Sequence, residues 1–200
     1  MASNVQIMTR QQVRELSVVG QSLEVLDWVL YDTQTIATGG TQTSFRFFQQ
    51  AIGQGGLSLD STNMEIPGQL PAGYKFVCQK IVATPKQGLT LTAASVSDIF
   101  AVTHRGNAQL FIGTRPYTQN PMVNLIGGGF MGFAASFDAV NSVSYATPRT
   151  VVNGELEYGI SIPANYSFSV LLNYDLAPTL VADVKLTMQM VGKLIRPRQG

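Results

Sequence analysis

Only one histidine, His104, and one cysteine, Cys78, occur among the 200 residues, so any acid–base or nucleophilic chemistry has little to draw on. His104 stands in VTHRGN beside Arg105, at what reads as a strand end. One imidazole cannot supply a zinc trio, and neither HExxH nor CxxC spacing occurs. A serine triad would need that same histidine plus a positioned acid, and there is no GxSxG elbow. His104 therefore reads as a turn residue. Cys78 lies in the apolar run YKFVCQKIVA and reads as a buried, inert thiol. With no second cysteine, an intramolecular disulfide is excluded.

Three weaker constellations remain. Glu155 and Glu157 are spaced i, i+2, so a strand would carry both on one face, as glycosidase carboxylates require. Two solvated strand charges beside Gly154 is the plainer reading. Asp60, Asn63 and Glu65 in LDSTNME offer oxygen ligands for calcium, without the spacing of an EF-hand. GGGF at Gly127 has no following Lys-Ser/Thr, which argues against a phosphate cradle. No catalytic residue, cofactor or metal is therefore assigned. The last segment differs in charge. From Lys185 onward the chain carries Lys185, Lys193, Arg196 and Arg198 and no acid. Lys193, Arg196 and Arg198 are the candidates for touching nucleic acid, another polyanion or an acidic neighbour, beside the plainer reading of a solubilising tail.

The elements that would position these groups read as β. In DVKLTMQMVGKLIRP, Val184, Leu186, Met188 and Met190 alternate with Lys185, Thr187 and Gln189, the mark of a half-buried strand. Further strands are expected at Ser44–Gln50, Tyr74–Thr84, Leu89–Ala94, Val96–Thr103 (the last with helical character), Gln109–Thr114, Val151–Glu157, Tyr158–Ile162 and Asn165–Tyr174. The first 30 residues differ. Val13, Leu16, Val19, Leu23, Leu26 and Leu30 recur at helical spacing, and Thr9 with Gln12 has the form of a capping box. The expectation is an N-terminal arm over 1–30, helical at about 9–19, with Trp28 and Tyr31 at the start of the first strand, and a single β-sandwich domain over 31–200. Two long loops interrupt the strands: Gly53–Gly73, and Pro116–Ser136 with its apolar Met122, Leu125, Ile126, Phe130, Met131 and Phe133. Such residues either tuck under the fold or form a contact patch. Short strands between Gly/Pro turns, with no βαβ alternation, predict an all-β two-sheet sandwich whose long crossovers favour jelly-roll wiring.

Composition bears on function. Charged residues are 12% of the chain and the net charge is +1, which excludes a surface dominated by nucleic-acid binding. The polarity comes from Gln, Thr, Ser, Asn and Gly, a surface suited to being covered by neighbours, where each buried charge would need a partner. The candidate subunit contacts are Val13, Leu16 and Leu23 in the arm and Met122, Phe130, Met131 and Phe133 in the second loop. The N-terminus lacks the apolar core of a signal peptide and no apolar run is long enough for a transmembrane helix, so cytoplasmic synthesis is expected.

Two stretches carry a resemblance. EYGISIPANYSFSVLLNY followed by ADVKLTMQMVGKLIRPRQ resembles the closing strands of bacteriophage virion proteins, where an extended strand runs to a Gly and an Arg-Pro-Arg-like end. FRFFQQAIGQGG with TNMEIPGQLPAGYKFVCQKI is similar to phage capsid jelly rolls, in which an early strand, a long loop and a second strand build the sandwich. The likeness covers residues 43–84 and 155–198 and brings no catalytic residues with it. It implies a non-enzymatic, oligomeric jelly-roll subunit of a phage particle, located in the virion, whose arm and loops contact copies of itself and other virion proteins. The alternative is a decoration or receptor-binding sandwich for carbohydrate, using Tyr117 or Tyr145 as a stacking platform.

Overall fold

The strand with the clearest alternation organises the molecule. β11 (Val184–Pro197) buries Val184, Leu186, Met188 and Met190 on one face and leaves Lys185 exposed on the other. It pairs antiparallel along its whole length with β2 (Leu23–Ile36) and, on its other side, with β4 (Lys75–Lys86). In the computed structural model the described residues are 7–9, 11–12, 23–86, 93–126, 134–136, 142–144 and 155–198.

Two antiparallel sheets face one another. The larger has the order β1-β9-β4-β11-β2, with β1 at Ile7–Met8 and β9 at Glu155–Pro163. The smaller has the order β3-β10-β5-β6, with β3 at Ser44–Phe47, β10 at Phe168–Asn173, β5 at Asn107–Ile112 and β6 at Arg115–Pro121. A separate pair joins β7 (Ala134–Ser136) to β8 (Ser142–Ser144). The inward side chains of both sheets form one core: Phe76, Ile81, Ile162, Leu186 and Met188 from the larger sheet meet Phe47, Leu110, Phe168, Val170 and Leu172 from the smaller. This is the all-β sandwich that the alternation predicts.

One device keeps the central strands in phase. In β4, Phe76 and Cys78 point into the core, and after Gln79 the buried set shifts to Ile81 and Ala83. The register against β11 slips at the same place: Cys78 lies opposite Gly192 and Lys80 opposite Val191. A one-residue bulge thus re-aims the second half of the strand, which would otherwise turn its apolar side chains outward. Gly192 is required there. A Cβ at that position would lie 1.9 Å from the Val77 carbonyl oxygen.

Buried polar groups tie the connections down. The Asp32 carboxylate on β2 is 2% exposed and accepts the Phe48 N–H at 2.6 Å, holding Phe48 in its left-handed conformation (φ 69°). Burial raises the Asp32 pKa, and hydrogen bonds from Phe48, Thr33 and Thr62 offset part of that. Asp98 lies on the helix α1 (Ala93–Thr103) and accepts the Val181 and Ala182 N–H groups, each at 2.9 Å, which fixes the entry to β11. The Tyr174 hydroxyl donates to the Val102 carbonyl at 2.9 Å and anchors the helix end to β10.

Several sequence expectations change. The apolar stripe of the first 30 residues reads as helical, yet Leu23, Leu26 and Leu30 lie in β2, so the arm boundary at residue 30 falls inside a strand. Pairing with β11 across fourteen residues outweighs a local helical period. Ile7–Met8 adds to the edge of β9. The Thr9–Gln12 pair does form: each backbone N–H bonds the other's side-chain oxygen, at 2.9 and 3.2 Å. Of the helix expected at about 9–19, Gln11 and Gln12 are helical, and residues 10 and 13–19 lie outside the described residues. The segment Val96–Thr103 is helix, not strand. The Pro116–Ser136 loop is in part the edge strand β6, followed by a 3₁₀ turn at Met122–Asn124.

Candidate functional site

Of the predicted contact residues, Leu23 stands at the exposed start of β2, opposite Pro197, with 37% of its surface open. Met122 does the opposite. It is fully buried, and the neighbouring Leu125 and Ile126 tuck under the larger sheet, where the Leu125 carbonyl accepts the Ala83 N–H at 2.7 Å. Met122 is core, not contact surface. Val13, Leu16, Phe130, Met131 and Phe133 lie outside the described residues.

The basic candidates are largely spent within the chain. The register of β2 and β11 sets Lys193 against Asp27 and Arg196 against Glu24. Both pairs close, at 2.6 Å and 2.9 Å. Cross-strand pairing thus neutralises two of the three residues read as polyanion contacts. Arg198 is exposed just beyond β11. The acids that answer them lie in a segment whose own balance is acidic, a signal that only the strand pairing turns into ion pairs.

The groups read for chemistry are dispersed. His104 follows α1, shares a hydrogen bond with Thr103 Oγ1 at 3.0 Å and stacks on Phe100 at 3.7 Å between ring centroids. Burial lowers its pKa. Cys78 is fully buried between β9 and β11, and desolvation pushes its thiol up to about 12. Glu155 and Glu157 both fall in β9, and their side chains lie outside the described residues. Tyr117 is half-buried and packs against the core, and Tyr145 is outside the described residues. No group of three or more His, Cys, Asp or Glu that could hold a metal occurs among the described residues.

The Gly53–Gly73 loop is bound to its own sheet. Asn63 acts as a substitute strand residue along the free edge of β2: its Oδ1 accepts the Tyr31 N–H at 2.9 Å and its Nδ2 donates to the Val29 carbonyl at 2.7 Å. Thr62 Oγ1 donates to the Tyr31 carbonyl at 3.1 Å, and the Tyr31 hydroxyl donates to the Leu59 carbonyl. Met64 and Leu70 sink into the core beneath. The carboxamide read as a possible calcium ligand therefore does backbone work instead. Where the loop meets the outward face of the larger sheet it walls a groove of about 430 Å³, lined by Tyr31, Leu59, Asp60, Thr84, Pro85, Thr187 and Gln189.

The other feature that the sequence reading missed is the placing of exposed apolar side chains. Ile7 and Tyr158 are 64% and 47% exposed at one side of the larger sheet, and Trp28 and Val29 are 40% and 37% exposed on β2 at the other. Helical spacing in the arm hid this, because Leu23, Trp28 and Val29 belong to an edge strand. No helix among the described residues is long and apolar enough to cross a membrane. Comparison of the chain with protein-family models, with curated proteins and with solved structures gave no match.

Proposed function

We propose that the protein is a structural subunit of a bacteriophage-type virion, a non-enzymatic shell component that associates with copies of itself and with other virion proteins. The observation that carries this reading is the exposed apolar surface at both edges of the larger sheet, Ile7 and Tyr158 at one and Leu23, Trp28 and Val29 at the other. Exposed apolar side chains on edge strands favour association; on β2 the backbone at Val29 and Tyr31 is already taken by Asn63 and Thr62, so the open part of that edge is its start, from Leu23 to Trp28. Two different edges, meeting head to tail, give a contact that repeats from copy to copy and closes into rings or shells. The low charge of the chain favours that reading, because few ions must be stripped of water when such surfaces meet.

The wiring proposed for the sandwich is the jelly roll. If β2, β3, β4, β5, β6, β9, β10 and β11 are counted one to eight, the larger sheet reads 1-8-3-6 and the smaller reads 2-7-4-5. Eight strands shared between two sheets in that interleaved order are what two Greek keys produce, an arrangement common to viral shell and lectin domains. The N-terminal arm is proposed as a further contact element.

Mass photometry and negative-stain microscopy of the purified chain test the reading. Oligomers or particles are expected, and Trp28→Ser with Tyr158→Ser should return the chain to monomer without loss of fold. A parent that stays monomeric at about 0.1 mM, where even contacts of weak affinity populate, would overturn it. Peptide mapping of purified particles gives an independent check of its place in a virion.

A further inference from the structure

We infer that the groove on the outward face of the larger sheet is a binding site for a neutral saccharide. It goes beyond the assembly reading: the groove opens on the face of the sheet, although its ring, Tyr31, lies on β2 only two residues from Val29 at the edge.

The lining is chosen by register. β2, β11 and β4 bring Thr33, Thr187 and Thr84 into one row across three strands, and Tyr31 and Gln189 sit side by side in the next. Thr187 is steadied by the 2.8 Å contact between its hydroxyl and that of Thr33. Tyr31 is held at its backbone N–H, its carbonyl and its hydroxyl by the 59–63 segment, so its ring is fixed before any ligand arrives. Binding then costs little side-chain ordering.

The chemistry of the lining selects the ligand. Tyr31, Leu59 and Pro85 give apolar surface, one of them an aromatic ring. Thr84, Thr187 and Gln189 add hydroxyl and amide groups that both donate and accept. No Lys or Arg lines the groove and Asp60 is its one carboxylate, so the lining itself offers a phosphate or sulfate no cation to pair with; Lys185 stands one row away on the same face, which is why the test carries an anionic control. A molecule with C–H faces to lie on an aromatic ring and many neutral hydroxyls to exchange hydrogen bonds matches all of these features. The volume of about 430 Å³ lies within the range of small-ligand sites.

The test uses the whole chain, labelled with ¹⁵N, and four neutral probes: maltotetraose, cellotetraose, chitotetraose and mannotetraose, with a heparin tetrasaccharide as the anionic control. At least one neutral probe should shift the amides of Tyr31, Thr84, Thr187 and Gln189. Gln189→Ala and Thr84→Ala should each weaken that probe by up to about tenfold, the worth of one hydrogen bond, with the thermal midpoint unchanged. The proposal is overturned if no neutral probe shifts these amides at about 10 mM, if heparin shifts them equally, or if both variants bind as the parent does. Loss of assembly with these shifts intact would count against the virion reading alone.

Discussion

Replacing Gly192 by alanine puts the central bulge to the test. The new Cβ would stand 1.9 Å from the Val77 carbonyl oxygen, 2.9 Å from the carbonyl carbon and 3.1 Å from Phe76 Cζ. Ordinary contact begins near 3.4 Å, so the backbone of β4 must retreat by about 1.5 Å, and that backbone is clamped on both sides by β9 and β11. Overpacking of this kind costs about 1–3 kcal/mol, and a retreat that breaks two ladder hydrogen bonds adds about 1–3 kcal/mol. The expected loss is about 2–6 kcal/mol, out of a total that for folded domains is about 5–15 kcal/mol. With a guanidinium slope of about 5 kcal/mol/M for a chain of this size, the unfolding midpoint should fall by about 0.4–1.2 M. Gly113→Ala is the control. Gly113 has φ +61° in the β5–β6 turn with nothing within 4 Å of a built Cβ, so only backbone strain of about 1–2 kcal/mol is expected there. A Gly192→Ala midpoint within about 0.2 M of the parent, or a shift smaller than that of Gly113→Ala, would refute the reasoning about the bulge.

Asn63→Ala should free the Gly53–Gly73 loop from the edge of β2, at a cost of about 1–3 kcal/mol for two hydrogen bonds, seen as a lower unfolding midpoint and as faster proteolytic nicking between residues 53 and 73. Undiminished resistance to protease would show that the loop is held by Met64 and Leu70 alone. Cys78, buried with its thiol pushed up to about 12, should not react with Ellman's reagent at pH 8 until the chain is unfolded. Asp32→Asn keeps an acceptor for the Phe48 N–H and removes the ionisation. Because burial raises the Asp32 pKa, the folded chain takes up its proton before the unfolded chain does as the pH falls. The parent's stability relative to Asp32→Asn should therefore rise from neutral pH toward acid and level off below the unfolded value of about 3.9. A difference that stays flat, or falls, in pH-dependent denaturation would contradict this.

The β class, the inward face of β11 and the burial of Cys78 could all be read from the sequence, since an alternation of period two is local and states which side chains avoid water. The Thr9–Gln12 pair was legible for the same reason, both partners lying within one turn. What lies across from a residue is not local. Helical spacing in the first 30 residues gave way to the pairing of β2 with β11, and only that register turned Lys193 and Arg196 from free cations into partners of Asp27 and Glu24. Apolar character marked Met122 as needing cover, but tertiary packing decided that the cover is its own core. The groove follows the same rule: Tyr31, Thr84 and Gln189 come from three strands far apart in the chain, and no spacing along it announces that they share a wall. Pattern fixes burial because water acts on each residue separately; neighbourhood is set by loop closure and register, which act on the chain as a whole.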